Sequence, residues 1–83
     1  MSDELTAIAA VRSLMAAGFR RFVIGDPDLP EALVYVRAGV GTRDLIQVHA
    51  AHECEAVRMV GRMMVRQIEG TTAEVVAAVL RWP

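Results

Sequence analysis

The sequence predicts a small α+β protein, a mostly antiparallel sheet with helices packed on one face, in the order α-β-β-β-α-β-α. Helical periodicity sits at both ends of the chain, while runs of β-branched and aromatic residues fill the middle between short glycine- and proline-bearing turns. The 83 residues fit one domain, residues 1–83. Hydrophobic residues make up 54% of the chain, above the roughly 45–50% of ordinary globular proteins, so a chain this short still has material for a core.

Residues 3–17 read as the first helix. Ser2 is the expected cap, and Asp3 and Glu4 sit in the first turn, where the helix dipole favours carboxylates. Ile8, Val11, Leu14 and Met15 share a face by spacing, and Gly18 stands where a left-handed cap is needed. Phe19 to Ile24 reads as a strand with Phe22 and Ile24 on one face. Gly25-Asp26-Pro27-Asp28-Leu29-Pro30 breaks it with a defined turn. Ala32 to Arg37 is a second strand and Asp44 to His49 a third. The short Gly39-Val40-Gly41-Thr42 connection makes these two an antiparallel hairpin.

Residues 51–69 admit three readings. One long helix is suggested by Val57, Val60, Met64 and Ile68. Two strands, the first from Cys54 to Val60, are a further option. The preferred reading is a short helix from His52 to Val60, capped by Gly61, then a strand from Arg62 to Ile68. The last helix is marked by Thr71-Thr72-Ala73-Glu74, a capping box in which Glu74 reaches back to the Thr71 amide. Val75, Val76, Val79 and Leu80 follow on one face, and Trp82 extends it. Val23, Val34, Val36 and the Met63/Met64 pair are the apolar residues expected to be left over once the helices have covered one face.

Composition narrows the function classes. The net charge is −1, which gives no general attraction to nucleic acid or anionic membrane. All nine basic residues are arginine, with no lysine or asparagine; the codon bias of a high-GC genome accounts for this more simply than an arginine surface for carboxylate or phosphate recognition, because the arginines are scattered. Cys54 is the only cysteine, so no internal disulfide forms and a reducing compartment is expected. The basic start and apolar stretch of a secretory signal are absent, and the longest apolar run, Val75 to Leu80, is far short of the ~20 residues of a membrane span. A cytoplasmic protein without a membrane partner is the expectation.

Three constellations carry candidate chemistry. His49, His52 and Cys54 lie within six residues and are the ligand types zinc prefers, with Glu53 or Glu55 as a possible fourth ligand; the second ligand pair of a structural zinc site is missing. Cys54 near a helix start would also be a candidate nucleophile, although no oxyanion-hole signature accompanies it. Asp26 and Asp28 are suited to a cation but are more simply explained by turn hydrogen bonds. Arg58, Arg62 and Arg66 recur every four residues and would form a basic ridge on one long helix, a ridge that a break at Gly61 destroys. No dinucleotide fingerprint, phosphate-binding loop or serine-hydrolase elbow is present, and no cofactor is expected. The leading expectation is a non-enzymatic protein-interaction or assembly module, a homodimer or a subunit of a larger complex. A small nucleic-acid-binding regulator using Arg58, Arg62 and Arg66 is the alternative, and a metal-binding domain at His49, His52 and Cys54 the third.

Overall fold

The computed structural model describes residues 3–83, so the cap expected at Ser2 lies outside the described residues. The elements are α1 (Asp3–Ala16), β1 (Arg20–Asp26), β2 (Leu29–Ala38), β3 (Thr42–Ala50), β4 (Glu53–Val60), β5 (Met63–Gly70) and α2 (Thr72–Leu80). The five strands form one antiparallel meander in chain order. The α+β class and the antiparallel sheet are as expected, and both helices pack on the same face.

The expected short helix from His52 to Val60 is instead strand β4. Its residues alternate: Cys54 and Ala56 are buried under the helices, while Glu53, Glu55 and Val57 point the other way. Arg58 occupies an inward position, which breaks the apolar alternation that would have marked a strand. Gly61 does take a left-handed conformation, with φ of 59°, but as the first residue of a two-residue hairpin turn rather than as a helix cap. No positive φ follows at Arg62, which fits a type II′ turn joining β4 to β5.

The core is Leu14, Phe19, Tyr35, Ile46, Cys54, Ala56, Val75, Val76 and Val79, with Leu33, Val48, Ile68 and Trp82 packed against it. α2 contributes most. Thr71 caps it, its hydroxyl accepting from the Glu74 amide at 3.1 Å. That hydroxyl donates to Glu74 Oε1 at 2.8 Å, so the carboxylate meets the hydroxyl and not the expected main-chain amide. Thr72 is fully buried and ties the helix to the β3–β4 turn, its hydroxyl donating to the Ala50 carbonyl and its amide to the Ala51 carbonyl, each at 2.9 Å. α1 lies beside α2 and buries Ala7 and Leu14, with Ala10 and Val11 half-buried. Its small residues turn inward, and Ile8 and Met15, expected on the inner face, are each 49% exposed. No helix among the described residues is long and apolar enough to cross a membrane.

Candidate functional site

Two helices cannot cover a five-stranded sheet. On the face turned away from them, the register aligns two rows across all five strands. One row is Arg20, Val36, Leu45, Val57 and Gln67, and the other is Phe22, Val34, Gln47, Glu55 and Glu69. Val34, Val36, Leu45 and Val57 form a half-buried apolar stripe, with exposed Arg20 and Phe22 at its β1 end and Gln67 and Glu69 at its β5 end.

The cover also fails at one edge. Every residue of β1 is exposed, including the consecutive Phe22, Val23 and Ile24 at 51%, 41% and 41%. Arg21 and Val23 lie opposite Tyr35 and Leu33, so they share the helix-side face, but α1 stops short of them. This leaves a groove of about 400 Å³ lined by Ile8, Met15, Arg12, Arg21, Leu33 and Tyr35. Tyr35 itself is fully buried, and its hydroxyl has no hydrogen-bond partner among the described residues. Burial pushes the phenol above its usual pKa, and the Arg21 guanidinium pulls part of that rise back without reaching hydrogen-bond geometry.

His49, His52 and Cys54 are not brought together. His49 faces away from the helices, its Nε2 3.8 Å from Glu55 Oε1, and His52 is exposed in the β3–β4 turn. Cys54 sits on the opposite face in the core, 3% exposed. Among the described residues no group of three or more His, Cys, Asp or Glu is placed to hold a metal ion. Burial is the main force raising the Cys54 thiol to about 11, with Glu55 adding to it and a Thr72 hydrogen bond opposing it. The thiol therefore stays protonated at neutral pH, the reverse of what a nucleophile needs. Asp26 does what turn aspartates do, its Oδ1 accepting from the Asp28 amide at 2.9 Å.

The three spaced arginines do not form a ridge. Arg62 is exposed in the β4–β5 turn, whereas Arg58 and Arg66 oppose each other in the ladder on the helix side. Both stack on Trp82, at 5.3 and 5.4 Å from its ring. Arg58 is further engaged by Asp44, Nε to Oδ1 at 2.7 Å and Nη2 to Oδ2 at 3.1 Å, and its Nη1 donates to the Pro83 carbonyl at 2.6 Å. Arg37 meets the same carboxylate at 3.2 Å. Burial opposes ionisation of Asp44, but the two guanidiniums outweigh it and hold the carboxyl below its usual range. Arg58 and Arg66 thus anchor the C-terminal segment, and two of the three arginines are engaged within the chain.

Sequence reasoning missed Asp44, Arg37 and the groove beside β1. The first two were legible only as an aspartate and an arginine at inward strand positions, where an ion pair across strands is the usual solution. No protein-family model, curated protein or solved structure matches this chain.

Proposed function

We propose that the chain is a non-enzymatic protein-interaction module that assembles with a second copy of itself. The observation that carries this is strand β1, a sheet edge exposed along its whole length and bearing Phe22, Val23 and Ile24 in succession. An apolar edge with free backbone donors and acceptors is a template for pairing, and a folded protein that presents one normally covers it. The half-buried apolar stripe on the uncovered face and the exposed Ile8 and Met15 beside the same edge add to the surface that gains from association.

Light scattering across the micromolar range tests the reading. The expected mass is twice the 9.0 kDa of one chain, falling towards 9.0 kDa for Phe22→Asp at equal secondary-structure content. A mass of 9.0 kDa for the unaltered protein at every concentration overturns it.

A further inference from the structure

We propose that two copies join edge to edge through β1, antiparallel, in the register that sets Val23 opposite the partner's Val23, so that two five-stranded sheets become one. This rests on the self-association reading above and gives it a geometry.

The choice of edge follows from the two that the sheet offers. β5 also exposes a run of apolar residues, Met63, Met64 and Val65, but its ladder with β4 is irregular there, with Val65 left out of the register, and that bulge and the neighbouring Arg66 interrupt the edge. β1 carries its charges at its ends, Arg20 and Arg21 at one and Asp26 at the other, and has no bulged residue of its own between them. Its ladder is regular from Arg20 to Ile24, and where the register shifts at Gly25 the extra residue, Glu31, belongs to β2.

Symmetry and charge then select the register. A two-fold axis perpendicular to the sheet keeps each side chain on its own face, so the pairing must be centred on a residue. Centred on Val23, all seven residues of β1 are used. Arg20 falls opposite the partner's Asp26 at both ends, and Phe22 falls opposite the partner's Ile24 on the uncovered face. Opposite charges directly across a ladder stabilise it, as do aromatic and β-branched pairs. Centring on Phe22 leaves Asp26 unpaired, and centring on Ile24 sets Phe22 against Asp26. The same construction on β5 is worse. Centred on Arg66 it sets two guanidiniums face to face, and centred on Gln67 it sets Arg66 against Ile68 and Glu69 against Val65.

The same pairing accounts for the groove on the helix side. In the symmetric pair the two α1 helices flank the axis on one face, above the paired Val23 side chains. Ile8 and Met15, each 49% exposed in one copy, then face their counterparts across the filled groove.

Disulfide trapping on the full chain tests this. Val23→Cys places two thiols directly across the axis, about 4.5–5.5 Å apart at Cβ, near the roughly 3.5–4.5 Å of a disulfide. Buried Cys54 stays out of the reaction. Mild oxidation should convert Val23→Cys to a covalent dimer, while Ile24→Cys, whose counterpart lies diagonally across, and Gln67→Cys on β5 react far more slowly. In a second arm, Arg20→Asp should weaken dimerisation by about tenfold or more, and adding Asp26→Arg should recover most of it. Faster trapping through Ile24→Cys or Gln67→Cys, or a double swap no tighter than the single, overturns the register. If the unaltered protein is a dimer but Val23→Cys does not trap, this geometry falls and self-association stands. A monomer at every concentration overturns both.

Discussion

Replacing Tyr35 by Phe should stabilise this protein, against the usual direction of such a change. Tyr35 is fully buried between Arg21 and Ile46 in the ladder, and its hydroxyl has no hydrogen-bond partner among the described residues. Where a buried hydroxyl is bonded, its removal costs about 1 kcal/mol; where it is unpaired, it carries a desolvation penalty of about 1–3 kcal/mol that its removal relieves. Phe fills the same site less one oxygen, so cavity formation is slight, and a net gain of about 0.5–1.5 kcal/mol follows. In a domain of this size each kcal/mol moves the melting temperature by about 4–8 °C. Thermal and urea unfolding, followed by circular dichroism at pH 7 and fixed protein concentration, measures the change. A loss of 1 kcal/mol or more at unchanged urea slope would refute the reasoning. It would mean that the hydroxyl is bonded in solution, with Arg21, the group that already lowers its pKa, as donor. A double-mutant cycle with Arg21→Gln would then show coupling, whereas an unpaired hydroxyl gives none.

Trp82→Ala should cost about 2–3 kcal/mol, below the roughly 3–5 kcal/mol of a fully enclosed Trp, because the ring is only half-buried between Arg58 and Arg66. A melting temperature that does not move would show that Trp82 adds nothing to the core. The Asp44 carboxyl, held below its usual pKa, contributes stability that is present above the ordinary carboxylate range and lost as pH falls through its lowered folded value. Asp44→Asn should therefore be less stable than the unaltered protein at pH 7, with the gap closing in acid; a gap independent of pH would exclude the ion pairs as its source.

The sequence alone determined the parts of this protein whose signals are local. The capping residues of α2, the hairpin of β2 and β3 and the extent of α1 follow from side chains acting on backbone groups a few positions away, so spacing suffices to read them. Strand β4 was not legible in this way. Its inward row, Cys54, Ala56 and Arg58, looks polar at one position because the neutralising Asp44 lies on the next strand, a partner that only register supplies. The direction of α1 was hidden for a similar reason. Spacing shows that Ile8, Leu14 and Met15 are apolar, but close approach to α2 turned Ala7 and Leu14 inward and left Ile8 and Met15 out. His49 and Cys54 are near in sequence yet on opposite faces, because each strand alternates its side chains and the turn between them fixes which way each points. Finally, reading residues 52–60 as a strand removed a helix from the cover and added a strand to be covered. Apolar surplus was visible in composition; that it lies along β1 was decided by the tertiary structure, because α2 packs on β3, β4 and β5, α1 packs beside α2, and neither covers the first edge.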